Sequence, residues 1–181
     1  MKTNDFVVRF AGEGGQGVVT SAEGFAQANA QGGYHVQTFA TFPSQIMGGP
    51  TWAQARVSTS SVLSSGDSLD VLVAFNEEAY LAHRDEVRAD GVIIYNAGAF
   101  EPDTDGHSFG MQFSELAKQT GNARAENMVV LGALAYLVGM PQQILDAFVR
   151  QRFTRGRDND EAIIIANIEA LTLGRQEAEN S

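Results

Sequence analysis

Short apolar runs alternate with segments whose apolar residues recur at helical spacing along most of the chain. Fully apolar runs such as residues 71–75 are typical of parallel strands that are covered on both faces. The predicted strands are residues 6–11, 34–40, 51–59, 70–75, 92–95 and 107–111, and the predicted helices are residues 18–31, 77–88, 114–119, 126–138, 141–150 and 159–173. This order predicts an α/β fold with an open, mostly parallel, Rossmann-like sheet, helices on both of its faces and a helical C-terminal part.

Composition and charge exclude several classes of function. The 181 residues include 12 Lys and Arg against 22 Asp and Glu, which gives a formal net charge of −10. Nucleic acid is therefore not an expected partner, because its phosphates would be repelled. With no cysteine, the chain has no disulfide, cysteine-based zinc site or cysteine-held iron–sulfur cluster. The histidines His35, His83 and His107 show no metal-binding spacing, so we predict no metal site.

The two ends of the chain predict no targeting signal and a polar tail. Residues 1–9 contain no apolar stretch of the kind found in secretory signals, and the apolar run at residues 128–140 is shorter than the roughly 20 residues that span a bilayer. We therefore predict a cytoplasmic protein without a membrane segment. Residues 176–181 are polar and are predicted to be a tail or the start of a linker, which leaves residues 1–175 as one domain.

A glycine-rich segment separates the first predicted strand from the first predicted helix. Gly12, Gly14 and Gly17 satisfy the pattern G-x-G-x-x-G, and Gly15 adds a fourth glycine. In this context backbone N–H groups and a helix N-terminus bind phosphate groups. A tight turn between a strand and a helix, without any ligand, has the same pattern.

The surrounding residues disfavour a dinucleotide and exclude a nucleoside triphosphatase. A dinucleotide site needs an acid about 20 residues further on, at the end of the second strand. No acid occurs between Glu23 and Asp67, which disfavours NAD(P). A nucleoside triphosphatase loop needs Lys where Val18 stands, so that activity is excluded.

The acid-free segment also contains an apolar loop. Phe42, Ile46, Met47 and Trp52 lie in or beside residues 41–50, and such side chains are seldom left together in water. A neutral region in an acidic chain suits either a phosphate-bearing ligand or a buried protein contact, and the two are compatible. We expect these side chains to contact a partner protein.

Asn76 ends a predicted strand, where α/β sheets bind ligands, but an asparagine there is equally suited to cap the following helix. Both interpretations stay open from the residues alone.

Four stretches together resemble one known family. They are residues 10–18 (FAGEGGQGV), residues 41–50 (TFPSQIMGGP), residues 70–79 (DVLVAFNEEA), and Asn127 followed by residues 131–133 (LGA). The chain resembles the gamma-type domain of the 2-oxoacid:ferredoxin oxidoreductases, in particular the version at the N-terminus of the alpha chain in two-subunit 2-oxoglutarate enzymes. In order and spacing the resemblance extends from about residue 6 to residue 175.

The resemblance implies a role within a larger enzyme. Such complexes decarboxylate a 2-oxoacid on thiamine diphosphate, pass electrons through an iron–sulfur cluster to ferredoxin and transfer the acyl group to coenzyme A. The resemblance also implies that thiamine diphosphate, Mg and the iron–sulfur cluster belong to alpha and beta catalytic chains or domains. The gamma part is expected to have no catalytic residue and to help bind coenzyme A at their interface. The residues that we expect to contact coenzyme A are Gly12, Gly14, Gly15, Gln16, Gly17, Gly48, Gly49, Asn76 and Asn127.

One difference from the family concerns the second loop. Gln45 and Met47 stand where the family usually has Glu and Arg, so the charged contact of those residues is missing here. Two alternatives to coenzyme A binding stay open: a self-contained NAD(P)-binding Rossmann oxidoreductase, and a purely structural module whose glycine loops only pack against a partner.

Overall fold

The structure, a computed structural model, describes residues 5–41, 48–103 and 107–181, which divide into two units. Residues 5–111 are called the sheet unit here, and residues 112–181 the helical unit. Phe42, Gln45, Ile46 and Met47 lie outside the described residues.

Six strands of the sheet unit form one sheet, in the order β2-β3-β1-β4-β5-β6. β1, β4, β5 and β6 are parallel neighbours, whereas β3 runs antiparallel to both β1 and β2. The predicted α/β fold with a mostly parallel sheet is confirmed. The elements are β1 (Asp5–Glu13), α1 (Val18–Gln31), β2 (His35–Thr41), β3 (Pro50–Ser58), β4 (Leu69–Ala74), α2 (Glu77–His83), a 3-10 helix (Arg84–Glu86), β5 (Val87–Asn96) and β6 (Ser108–Met111).

Helices cover both faces of this sheet. The ring of Phe25 in α1 lies 5.9 Å from the ring of Phe6 and 6.4 Å from that of Phe10. Ala79 in α2 instead joins a buried cluster with Val7 and Ala11. Because successive residues of a strand point to opposite faces, even-numbered positions of β1 face α1 and odd-numbered positions face α2. The predicted placement of helices on both faces is confirmed.

The helix predicted at residues 77–88 is wrong at its last two residues, which belong to a strand. α2 ends at His83, the 3-10 helix follows, and β5 begins at Val87, five residues before the predicted strand. Residues 88–90 are exposed and Arg88 and Asp90 are charged, so the apolar pattern does not reveal this part of the strand. Pairing with β4 holds it in place: Val87 pairs with Leu69, and Arg88 donates to Asp70 at 2.7 Å.

The helical unit contains four helices, and two of them pack closely. α4 is buried from Met128 to Ala135 and packs mainly against α6. Among the described residues, no helix of the chain combines the length and the apolar character needed to span a membrane. The helices are α3 (Phe113–Gln119), α4 (Glu126–Leu137), α5 (Gln142–Phe153) and α6 (Asp160–Glu179).

The last helix extends beyond its predicted end at residue 173. α6 continues to Glu179, so most of the predicted polar tail is helical. Arg175 donates to the backbone carbonyl of Met140 at 3.1 Å, and Ala178 is buried. These contacts hold a segment whose polar composition alone indicates fraying.

Candidate functional site

Three of the predicted segments meet at one edge of the sheet. β1 and β4 are parallel, so Glu13 at the end of β1 and Asn76 just after β4 lie at the same edge. β3 is antiparallel and begins at this edge, directly after Gly48 and Gly49. The topology therefore brings the glycine segment, the second glycine pair and Asn76 together, at the carboxyl edge where open α/β sheets bind ligands.

The first glycine segment forms a tight turn that opens α1. Gly15 and Gly17 have left-handed backbone conformations, with φ of +102° and +80°, which glycine adopts without strain. The N–H of Gln16 donates to the carbonyl of Glu13 at 3.1 Å and closes the turn. No side chain caps α1, and its first turn contains no acid. The N–H groups at the start of α1 are therefore oriented to bind an anion.

Two amide side chains connect this turn to β4. Oε1 of Gln16 accepts from the N–H of Glu13 at 2.7 Å and lies 3.4 Å from Nδ2 of Asn76. Oδ1 of Asn76 accepts from the N–H of Ala79 at 2.9 Å and caps α2. The capping interpretation of Asn76 is confirmed, and its amide nitrogen faces Gln16. Together the two side chains hold the glycine turn against the end of β4.

Gly12 is a glycine for reasons of packing. A side-chain carbon at this position would lie 2.9 Å from Cβ of Phe75 and would overlap Oε1 of Gln16. The backbone of Gly12 is not left-handed, so its conformation does not demand glycine. Close packing of β1 against the end of β4 explains the residue, and a contact between Gly12 and a ligand stays a prediction.

The second glycine pair lies beside the first turn. Gly48 and Gly49 are both left-handed, with φ of +74° and +85°. The carbonyl of Gly49 accepts from the N–H of Gly14 at 3.3 Å. A side-chain carbon on Gly14 would lie 3.6 Å from the oxygen and 3.7 Å from the nitrogen of Gly48, which is ordinary van der Waals contact. The two turns thus face each other with room for at least a methyl group on Gly14.

Asn127, the remaining predicted site residue, lies in the helical unit. It is the second residue of α4, and its Oδ1 accepts from the N–H of Met128 at 3.1 Å. The other predicted coenzyme A residues all belong to the sheet unit. Among the described residues, no group of three histidines or carboxylates is placed to hold a metal ion.

Arg9 is a buried charge that the sequence analysis did not single out. It lies on the α2 face of β1, and its guanidinium donates to Oε1 of Gln54 at 3.0 and 2.8 Å and to Oε1 of Glu86 at 2.5 Å. Nδ1 of His83 is 3.0 Å from Arg9 Nη1 and 2.9 Å from Oε1 of Glu86. Partial burial acts to raise the pKa of Glu86, but the hydrogen bonds from Arg9 and His83 outweigh it and lower that pKa. A lone charge inside an apolar central strand is the signal that could have revealed this network.

An aromatic pair lies next to Arg9 on the same sheet face. The Arg9 guanidinium stacks 4.2 Å from the centre of the Trp52 ring, and the Phe39 ring lies 5.4 Å from Trp52. Trp52 is half-buried, but Phe39 is 51% exposed on edge strand β2. Trp52 is thus the one described member of the predicted partner surface, and Phe39 extends it. Phe39 and Trp52 are called the aromatic pair below.

A family model described as pyruvate ferredoxin/flavodoxin oxidoreductase matches residues 7–177. The chain belongs to this family. The match extends over nearly the same residues as the resemblance drawn from the four sequence stretches, and the family prediction is confirmed.

Two curated relatives of the family differ in length. Ketoisovalerate oxidoreductase subunit VorA of Methanothermobacter marburgensis is 30% identical over 172 residues, which cover 92% of this chain and 35% of VorA. The 2-oxoglutarate synthase subunit KorC of Archaeoglobus fulgidus is 25% identical over 160 residues, which cover 87% of this chain and 84% of KorC.

A solved structure of the same family shares the fold. It is the 2-oxoglutarate:ferredoxin oxidoreductase from Magnetococcus marinus with 2-oxoglutarate, coenzyme A and succinyl-CoA bound. The TM-score is 0.89 at 34% identity, over 99% of this chain and 32% of that chain. The chain therefore spans about a third of the length of VorA and of the M. marinus chain, and most of the length of KorC.

Proposed function

We propose that this chain is the gamma-type part of a 2-oxoacid:ferredoxin oxidoreductase and helps to bind coenzyme A at the carboxyl edge of its sheet. The whole complex converts a 2-oxoacid to an acyl-CoA and carbon dioxide and passes the electrons to ferredoxin. The observation that carries the proposal is the glycine turn that opens α1, faced by Gly48 and Gly49. We also propose a cytoplasmic location and a domain at residues 1–175, as expected from the sequence.

The local charge of the site supports coenzyme A as its ligand. The pyrophosphate of coenzyme A needs N–H donors and a positive electrostatic field, which the uncapped start of α1 supplies. β2 ends at Thr41 and no acid follows before Asp67, so the acid that holds the ribose of a dinucleotide is missing from its usual position. A ligand can approach the backbone at Gly14, because a side-chain carbon added there would make only ordinary van der Waals contacts. Glu13 is exposed, so its carboxylate stays hydrated.

The proposed role of this chain is binding and positioning. Bound coenzyme A supplies the thiol that accepts the acyl group. The start of α1 holds the pyrophosphate, Gln16 and Asn76 keep the turn in place, and Gly48 and Gly49 form the opposite wall. The sequence contains no cysteine, so we assign the iron–sulfur cluster to the alpha and beta chains or domains, together with thiamine diphosphate and Mg.

We propose 2-oxoglutarate as the 2-oxoacid. The support is that KorC is named a 2-oxoglutarate synthase subunit and that the similar M. marinus enzyme was solved with 2-oxoglutarate bound. The partners in this proposal are the alpha and beta catalytic chains or domains, and ferredoxin interacts through the complex.

The experiment compares the catalytic chains or domains with and without this chain. Calorimetric titration with coenzyme A and with NADPH, together with acceptor reduction on 2-oxoglutarate, measures binding and activity in each sample. We expect tight coenzyme A binding and acceptor reduction only when this chain is present, and no NADPH binding. Equal coenzyme A affinity without this chain would instead support an assembly module, for which the exposed Phe39 of the aromatic pair is the supporting observation.

A further inference from the structure

The hydroxyl of Thr51 is buried without a hydrogen-bond partner. Thr51 is 5% exposed, lies near the start of β3 and pairs in register with Gly12. Within residues 5–41, 48–103 and 107–181, no group makes a hydrogen bond with its Oγ1. A buried hydroxyl without a partner lowers stability, and such groups are uncommon in folded proteins. The position of Thr51 beside the glycine turn indicates that a ligand satisfies it.

The hydroxyl borders the space between the two glycine turns. A side-chain carbon on Gly14 would lie 4.0 Å from Oγ1 of Thr51, close to its distances from the nitrogen and oxygen of Gly48. Gly14 is not left-handed, and an added carbon would meet only ordinary contacts. Neither conformation nor packing therefore requires glycine at position 14. What the glycine leaves open is a small space lined by a hydroxyl, a backbone N–H and a backbone carbonyl.

The charges around this space favour a neutral occupant. Arg56 is the one basic residue of the acid-free segment, and it lies five positions beyond Thr51 in β3. Its guanidinium is bound to the carboxylate of Asp5, at 2.9 and 2.6 Å. A phosphate in the space would face the Gly48 carbonyl, and the guanidinium of Arg56 is already paired with Asp5. An amide fits better, because it offers both a donor for that carbonyl and an acceptor for the N–H and hydroxyl.

We infer that the space between Gly14, Gly48 and Thr51 binds an amide of the pantetheine arm of coenzyme A, with the Thr51 hydroxyl donating to the amide carbonyl. This inference rests on the proposed function, in which the pyrophosphate of the same ligand lies at the start of α1. Thr51 thereby binds the neutral pantetheine arm of the ligand, and the start of α1 binds its charged pyrophosphate. A nucleotide without the arm gains nothing from Thr51.

The test uses Thr51→Val, which replaces the hydroxyl by a methyl group of the same shape, and Thr51→Ser, which keeps the hydroxyl. Each full chain is assembled with its catalytic chains or domains and titrated by calorimetry with coenzyme A, with pantetheine and with ADP, using competition where binding is weak. We expect Thr51→Val to lose about tenfold in affinity for coenzyme A and for pantetheine, and to bind ADP as the wild type does. Thr51→Ser should stay within about twofold of the wild type for all three ligands.

Thermal unfolding of the free chain provides an independent readout. Removal of an unpaired buried hydroxyl should leave the melting temperature of Thr51→Val equal to or above that of the wild type. A lower melting temperature would mean that the hydroxyl is bonded within the chain, and would overturn the inference.

The binding data distinguish this inference from the proposed function. A wild-type complex that does not bind coenzyme A overturns the proposed function. A wild-type complex that binds it, with Thr51→Val unaffected or with ADP weakened as much as coenzyme A, overturns only the assignment of Thr51 to the pantetheine arm.

Discussion

Gly132 in α4 and Gly174 in α6 make reciprocal contacts with the backbone of the opposite helix. A side-chain carbon on Gly132 would overlap the carbonyl oxygen of Leu171, and one on Gly174 would overlap that of Val129. The two helices therefore pack backbone against backbone at this crossing. No side chain larger than hydrogen fits at either position without moving a helix.

Gly132→Ala or Gly174→Ala should lower the free energy of unfolding by about 2 kcal/mol or more, since an overpacked core must shift backbone rather than a flexible side chain. The sign is informative, because alanine in place of glycine inside a helix ordinarily stabilises by about 0.5–1 kcal/mol. Urea unfolding of the two variants measures the change. A midpoint at or above that of the wild type would show that the helices are not packed this closely.

The sequence predicts most elements of the fold where local signals agree. α1 has the predicted bounds because Gly17 and Gly32 limit a run of small and apolar residues. The antiparallel direction of β3 could not be predicted, because alternation along a strand does not encode the direction in which it pairs. The start of β5 was missed because residues 88–90 are exposed and show no apolar pattern, and because the pairing of Val87 with Leu69 is a long-range contact.

The site was predicted in part for a similar reason. The motif at residues 12–17 determines its turn locally, because Gly15 and Gly17 adopt left-handed conformations. The proximity of Gly48 to Gly14 instead depends on the antiparallel register of β3. The unpaired hydroxyl of Thr51 is also a property of the folded structure, because a threonine in a strand gives no sign of its partners.

Alanine at Gly12 should affect stability and alanine at Gly14 ligand binding, since only Gly12 is packed too closely for a side chain. Gly12→Ala should lower the free energy of unfolding by about 2 kcal/mol. Gly14→Ala should fold normally but raise the KM for coenzyme A about tenfold in the assembled complex, because the methyl group fills the ligand space. Melting curves and steady-state kinetics measure the two effects. A stable Gly14→Ala variant with unchanged KM would contradict coenzyme A binding at this turn.

Variants of Asn76 should separate its capping role from a role in the site. Asn76→Ala should lose about 1 kcal/mol of stability, because the N–H of Ala79 loses its acceptor. Asn76→Asp keeps that acceptor and the stability, but it removes the amide donor near Gln16 and adds a negative charge beside the phosphate site. We expect this variant to weaken coenzyme A binding about tenfold in calorimetric titrations. Unchanged binding in Asn76→Asp would limit Asn76 to capping α2.

The ion pair between Glu86 and Arg9 should make stability depend on pH. The pKa of Glu86 is lowered from its ordinary value near 4.5 in the folded chain, so its carboxylate stabilises the fold above that pH. This contribution is lost as the pH falls through the lowered pKa. Glu86→Gln should therefore cost about 1 kcal/mol at pH 7, a modest value because the Glu86 side chain is 42% exposed, and progressively less below pH 4.5.

Denaturant titrations between pH 2.5 and pH 7 measure this difference. The control is Glu23→Gln on the exposed side of α1, for which we expect a small effect at every pH. If Glu86→Gln matched the control at pH 7, the ion pair with Arg9 would contribute nothing to stability.

The aromatic pair provides the test of the partner surface. Phe39 is 51% exposed and packs on Trp52, so it leaves apolar area in water that a partner chain would cover. Phe39→Asp should weaken association with the catalytic chains at least about tenfold, because the contact would bury an unpaired charge. The fold of the free chain should change little, since a charge on an edge strand can remain hydrated. We expect the same result for Met47→Glu, although residue 47 is not among the described residues.

Leu63→Asp is the matched control for this surface, because Leu63 is 94% exposed in the segment that follows β3 and is not part of the aromatic pair. Biolayer interferometry against the immobilised catalytic chains, with melting curves of each free variant, separates loss of association from loss of folding. If Phe39→Asp and Leu63→Asp associate equally well, the aromatic pair does not contact the catalytic chains. A carboxylate at position 39 that does not weaken association must remain hydrated in the complex. The exposed ring of Phe39 would then belong to the free surface of the complex.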